Sequence, residues 1–275
     1  MYNLKIIRCG EQVEVYKCKN YAIREEKQEE FYRFIPKEQL YKSHQLNFEE
    51  SKQLEEKRKI NKIKNRVDNL KKSKEKIIRL IKCNSDMSTF ITLTFAKETD
   101  YKESKKCLKG LFDKLRRDYK GLKYLWVLEY GGENNRLHFH VLTNIEIPIK
   151  LNSSKERKSK EHKQLENEFK NRYWQYGIVD IRSLKQENNT NVALYVAKYV
   201  TKSMVNKDLD RYRIYGNSKN LNKPIIDKYL SLENIEDILK KYDKNYDLNY
   251  MSSYSIGYKN KKGTMTYANL SKKEC

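Results

Sequence analysis

Between residues 88 and 204 the apolar residues change period again and again, and that succession limits the folds open to the chain. Phe90-Ile91-Thr92-Leu93-Thr94-Phe95 alternates apolar and hydroxyl side chains, the period of a strand. Leu108, Leu111, Phe112, Leu115 and Tyr119 then recur at helical steps, with Thr99 or Asp100 placed to cap the helix and Gly121 to end it. Residues 124–130 read as a second strand, Gly131-Gly132-Glu133-Asn134-Asn135 as a hairpin turn and residues 136–143 as a third strand. A very polar segment runs into a helix carrying Leu165, Phe169 and Tyr173. Residues 177–181 read as a fourth strand and residues 191–204 as a last helix. The order strand, helix, strand, strand, helix, strand, helix suits an α+β fold, an antiparallel sheet with helices packed on one face.

The flanks read differently. Residues 48–82 form a long charged helix or helix pair, with Leu54, Ile60, Ile63, Val67, Leu70, Ile77, Ile78 and Ile81 at three- to four-residue steps. Its lysine-rich surface suits a solvated face and a DNA-contacting face equally well. Gln12-Val13-Glu14-Val15-Tyr16 fits a short strand, residues 225–242 a helix, and residues 254–258 and 264–267 two short strands. The expected division is a basic, largely helical N-terminal region over residues 1–85, a catalytic domain over 86–206 and a mixed C-terminal extension over 207–275.

Charge selects the partner. Lys and Arg number 59 against 37 Asp and Glu, a net charge of +22, so a polyanion is expected to relieve the self-repulsion. Nucleic acid comes first and an anionic membrane surface second. The 22 tyrosines favour nucleic acid, because aromatic faces stack on unpaired bases. No stretch nears the roughly 20 apolar residues of a spanning helix. No apolar secretory segment follows Met1, and a cytoplasmic setting in a bacterial host is expected. Cys9, Cys18, Cys83, Cys107 and Cys275 are odd in number and include no CxxC pair, which suggests neither a disulfide framework nor a zinc site.

Two clusters carry chemistry. In Leu137-His138-Phe139-His140-Val141 both imidazoles point to one strand face, while Leu137, Phe139 and Val141 point to the other. Exposed strand histidines are the plain reading of that pattern, but Glu129 lies on the preceding strand, within reach of His138 in a hairpin. Whether Glu129 shares the histidines' face depends on the turn register. Two imidazoles and a carboxylate suit Mg²⁺ or Mn²⁺ completed by phosphate oxygens, and zinc fits as well. In Tyr195-Val196-Ala197-Lys198-Tyr199-Val200-Thr201-Lys202 the two tyrosines share a helix face flanked by Lys198 and Lys202, opposite a small apolar stripe of Ala193, Val196, Ala197, Val200 and Met204. A phenol of pKa near 10 is a weak nucleophile unassisted. A cation on the scissile phosphate and a lysine near the developing charge both compensate, which suits phosphodiester transesterification.

Phe90-Ile91-Thr92-Leu93-Thr94, Leu137-His138-Phe139-His140-Val141 and Tyr195-Val196-Ala197-Lys198-Tyr199 resemble, in this order, the three motifs of HUH-superfamily rolling-circle replication initiators. The nearest likeness is to the two-tyrosine initiators of small bacterial plasmids and single-stranded DNA phages, and it covers about residues 88–204. The resemblance implies an HUH endonuclease of ferredoxin-like fold, with His138, His140 and Glu129 as ligands of Mg or Mn. It implies Tyr195 as nucleophile, Lys198 as the accompanying lysine and Tyr199 as second tyrosine. Such an enzyme nicks single-stranded origin DNA, stays joined to the 5′ phosphate, leaves a free 3′ hydroxyl and needs no ATP.

No GxxxxGK[ST] occurs, so unwinding is expected to need a host helicase, and extension a DNA polymerase. The basic helix before residue 88 is expected to bind the origin duplex, so that removing residues 1–82 would spare cleavage of single strands. The alternatives are a transposase of the same superfamily and a non-catalytic, DNA-binding copy-control protein.

Overall fold

The computed structural model describes residues 1–20, 22–23, 48–131, 136–147, 157–184, 189–203, 212–258 and 261–273. In chain order the elements are β1 (Leu4–Cys9), β2 (Gln12–Lys19), α1 (Phe48–Lys82), β3 (Thr89–Phe95), α2 (Tyr101–Asp118), β4 (Tyr124–Tyr130), β5 (Leu137–Thr143), α3 (Lys160–Tyr173) and β6 (Gly177–Ser183). Then follow α4 (Asn189–Ser203), β7 (Tyr215–Asn217), β8 (Ile225–Tyr229), α5 (Ile235–Lys240), β9 (Tyr246–Tyr258) and β10 (Lys261–Lys272). The chain divides into two units, residues 1–69 with 225–275, and residues 70–224.

The first unit is an antiparallel sheet in the order β8-β1-β2-β10-β9. Gly10, at φ 56°, turns β1 into β2 in the left-handed region that glycine enters without steric cost. Leu4, Ile6, Val13, Val15, Ala268 and Leu270 form a small core with Ile235, Ile238 and Leu239 of α5. Asn234 caps that helix by accepting from the Asp237 N–H.

Here the expectations need correction. Ile225–Tyr229 is a strand rather than the start of a helix, because β1 has a free edge that pairs with it from Leu4↔Tyr229 to Arg8↔Ile225. The two short strands expected near the C-terminus are parts of a long hairpin, β9 and β10. The expected division into three consecutive segments differs from the observed one. The flanks combine into one sheet, while Ile77, Leu80 and Ile81 of α1 are buried in the core of the other unit. Removing residues 1–82 would therefore strip that core; a cut before Leu70 respects the boundary.

The second unit holds the five-stranded antiparallel sheet β6-β3-β5-β4-β7. The strand and helix order between residues 88 and 204 is the expected α+β arrangement. β7 is an addition: Tyr215, Gly216 and Asn217 pair with Val127, Trp126 and Leu125 at the edge of the sheet. Asp100 is the cap of α2, accepting from the Glu103 N–H.

Alternation gives each central strand two different faces. Ile91, Leu93, Phe95, Trp126, Leu128, Phe139 and Val141 point to one face. There they join Leu108, Leu111, Phe112 and Leu115 of α2 and Phe169 and Tyr173 of α3 in one core. Phe112 stacks on Tyr124 at 3.6 Å between ring centres, and the Phe95 ring meets Trp174 at 5.0 Å. α4 lies on the other face. Its buried Val192, Ala193 and Val196 join Leu125, Val127 and Leu142 in the same core, and its tyrosines meet Phe90 and His140.

One buried contact on the α2 side titrates. Lys105 Nζ sits 3.5 Å from the centre of the Trp126 ring. Burial, with Arg213 nearby, lowers its pKa to about 8, although the ring face favours the charged form. An unfolded lysine keeps its proton to about pH 10.4. Between pH 8 and 10.4 the unfolded state therefore holds more protons, and this group makes stability rise with pH. In denaturant melts at pH 7.5 and 9.5, wild type should gain stability relative to Lys105→Met. Parallel pH profiles would contradict that.

Candidate active site

The strand registers decide which side chains meet. Glu129 pairs directly with His138 across β4 and β5, and Val127 pairs with His140. On the other side of β5, Thr94 pairs with His138 and Thr92 with His140. Cross-strand partners share a face, so Glu129, both histidines and both threonines lie on one face, the face that α4 covers. The turn register left open by the sequence is thereby set, although residues 132–135 of the turn lie outside the described residues.

The contacts are close. His140 Nε2 lies 2.7 Å from Glu129 Oε2, and both residues are more than 90% buried. Thr92 Oγ1 lies 3.2 Å from His140 Nδ1, and Thr94 Oγ1 lies 2.8 Å from His138 Nδ1. The two imidazole rings are nearly parallel, 14° apart, with centres at 6.4 Å.

α4 brings the tyrosines. Its buried face includes Ala193 and Ala197, and small residues at a contact let a helix axis approach its neighbour closely. The Tyr199 ring stacks on His140 with centres 3.7 Å apart. Its hydroxyl donates to the Tyr195 hydroxyl at 2.9 Å. Phe90 supports both rings, 5.1 Å from Tyr195 and 5.7 Å from Tyr199. Burial first, then the bond to Tyr195, pushes the Tyr199 phenol well above its ordinary pKa, with Glu129 adding and Arg182 opposing. Tyr199 therefore keeps its proton and presents it to Tyr195. Tyr195 is 37% exposed, and Lys198 is exposed on the same helix. The side chains of Val200, Thr201 and Lys202, and the whole of Met204, lie outside the described residues, as do His44 and Arg211. His162 is buried in α3 with its Nε2 against the Ile181 carbonyl, apart from this cluster.

Among the described residues no group of three or more His, Cys, Asp or Glu side chains is already arranged to hold an ion. The donor chemistry nevertheless fits one. Each Nδ1 faces a threonine hydroxyl, which fixes ring orientation and leaves Nε2 as the ligating nitrogen. Glu129 touches one imidazole and stands opposite the other.

Thr92, Thr94 and Gly131 were not singled out for this role by sequence. The two hydroxyls could have been found, since they alternate with apolar residues on a strand facing the HxH strand. Gly131 has no such signal. A Cβ there would come within 2.5 Å of His138 Nε2. The atom it meets is the far end of a side chain, so Gly131→Ala should cost little stability but displace the imidazole. Affinity for Mn²⁺ is expected to fall about 10- to 100-fold, as for loss of a supporting contact, with the melting temperature nearly unchanged. Isothermal titration with Mn²⁺ checks this, and unchanged affinity would contradict it.

The comparisons agree with this arrangement. The family model of the replication-associated protein ORF2 matches residues 88–204. Replication-associated protein ORF2 of Spiroplasma virus 4 is 28% identical over 174 residues, covering 58% of this chain and 52% of that protein. The chain thus spans about half the length of the curated relative it matches. No solved structure matches it. The matched segment begins just before β3 and ends just after α4, so it holds every residue of the cluster. Through residues 88–204 the chain belongs to the replication-associated protein ORF2 family.

Proposed function

We propose that the chain is a rolling-circle replication initiator that nicks and rejoins single-stranded origin DNA by tyrosine transesterification. The observation that carries this reading is the hydroxyl pair of Tyr195 and Tyr199 set over the His140–Glu129 pair. Tyr195 is the attacking residue. It is the more exposed of the two, and it accepts a hydrogen bond that steadies its oxygen as charge develops. The Tyr195 oxygen bonds to phosphorus, the bond from phosphorus to the 3′ oxygen breaks, and the phenolic proton is balanced by the one gained at the 3′ hydroxyl. The product is a 5′-phosphotyrosine, and the reverse step rejoins the strand without ATP. Lys198, three residues on, stands where it can meet phosphate charge. Tyr199 is the second tyrosine, able to take the next strand while Tyr195 still holds the first.

His138, His140 and Glu129 would hold a divalent cation, Mg²⁺ or Mn²⁺. Bound there, it would withdraw charge from the scissile phosphate. Thr92 and Thr94 orient the two rings. The partners on this reading are single-stranded and duplex origin DNA, a host helicase and a DNA polymerase. The net charge of +22 supports the first of these. Among the described residues no helix is long and apolar enough to cross a membrane. A transposase would share all of this chemistry.

The test incubates the protein with origin-spanning single strands and Mn²⁺ or Mg²⁺ and looks for a protein–DNA band on a denaturing gel. A band that needs metal and vanishes in the Tyr195→Phe, Tyr199→Phe double variant is expected. Tight, salt-sensitive binding with no band would favour the copy-control reading.

A further inference from the structure

Arg182 lies outside the three motifs, and no step above uses it. It stands on β6, whose register sets Arg182 across from Phe90 and Asp180 across from Thr92. Arg182 therefore belongs to the face that carries Thr92, His140 and Phe90. Phe90 is the ring on which both tyrosines rest, so the guanidinium is the cross-strand neighbour of the tyrosine support.

The side chain is held in place. Arg182 Nε donates to Asp180 Oδ2 at 2.8 Å, and Nη2 reaches Asp180 Oδ1 at 3.4 Å. Asp180 is held in turn by Lys158 Nζ at 2.6 Å, which also reaches Glu166 at 2.5 Å. Glu166 accepts from the Ile181 N–H, tying the chain of ion pairs to the strand itself. The Arg182 side chain is still 31% exposed, and among the described residues Nη1 makes no hydrogen bond. A guanidinium fixed on one edge and open on the other has already given up most of its rotamer freedom. That lowers the cost of a second contact. Its planar fork matches two oxygens of one phosphate, which an ammonium does not. The electrostatics agree: its charge opposes the rise in the Tyr199 pKa, so its field reaches the tyrosine oxygens.

We infer that Arg182 binds a backbone phosphate of the DNA strand at the tyrosine pair, with Asp180 and Lys158 as the residues that hold it ready. This rests on the function proposed above, since it needs single-stranded DNA as ligand.

The test measures binding without cleavage, in chelator, using single strands in which one phosphate at a time is replaced by a neutral methylphosphonate. In wild type, one replacement beside the cleavage position should weaken binding about tenfold. Arg182→Gln should bind the unmodified strand about tenfold more weakly and lose nothing further at that position. Its slope of log affinity against log salt should be shallower by about 0.7, the value for one phosphate contact on a single strand. Arg182→Lys should restore the slope but not the full affinity. Wild-type affinity in both variants, or equal sensitivity to that methylphosphonate with and without Arg182, would overturn the inference. Because binding is read apart from adduct formation, a wild type that binds but forms no adduct counts against the proposed chemistry and leaves the assignment of Arg182 to be decided by the scan.

Discussion

Tyr195→Phe is expected to lower the rate of covalent adduct formation by on the order of a thousandfold or more, because a nucleophile removed from a cooperating set is not replaced by its neighbours. The substitution deletes one oxygen. The ring contact with Phe90 at 5.1 Å remains available to phenylalanine, so folding and strand binding should persist. Tyr199→Phe removes a different thing. Its ring still stacks on His140, but the hydroxyl that donates to Tyr195 is gone. One lost hydrogen bond corresponds to about tenfold in rate. The asymmetry is the useful result: a large loss at residue 195 and a modest one at 199. Comparable large losses at both would mean that the two alternate within a single turnover. A larger loss at 199 would reverse the assignment.

Glu129→Gln is expected to lower metal-dependent adduct formation at least about a hundredfold, with metal-free strand binding close to wild type. The change keeps the size and removes the charge. Glu129 is buried, stands across from His138 and lies 2.7 Å from His140 Nε2. It is thus the one described carboxylate that reaches this histidine pair. A hard divalent cation prefers a charged oxygen donor, so the amide should need far more Mg²⁺ to act and should be rescued in part by Mn²⁺, which tolerates nitrogen ligands better. Adduct titrations over metal concentration measure this. An unchanged metal requirement would remove Glu129 from the ligand set.

The sequence made the second unit legible because its signals are local. Alternation in Thr89–Phe95 and Tyr124–Tyr130, and helical spacing in Tyr101–Asp118, are properties of a few neighbouring residues. The first unit was not legible for the opposite reason. Ile225, Ile226 and Tyr229 have spacing that a helix would accept, and only pairing with β1, more than 200 residues earlier, makes them a strand. The division of the chain failed likewise, since its units are assembled from distant segments. Within the site, residue types were readable and relations were not. HxH and YxxKY stand out in the sequence, whereas Glu129 against His138, Thr92 and Thr94 behind the two rings, and Tyr199 on His140 all require registers and helix placement.

The central claim is that Tyr195 becomes covalently joined to DNA, and trypsin separates the two candidates. Cleavage after Lys185, Lys198 and Lys202 puts Tyr195 in a peptide of residues 186–198 and Tyr199 in a peptide of residues 199–202. The adduct formed with Mn²⁺ on a single strand would be digested with nuclease and trypsin and the nucleotide-bearing peptide identified by mass spectrometry. The account predicts a 5′-phosphonucleotide on the peptide of residues 186–198 after the first cleavage. A nucleotide on residues 199–202 alone, or on neither peptide, would contradict it.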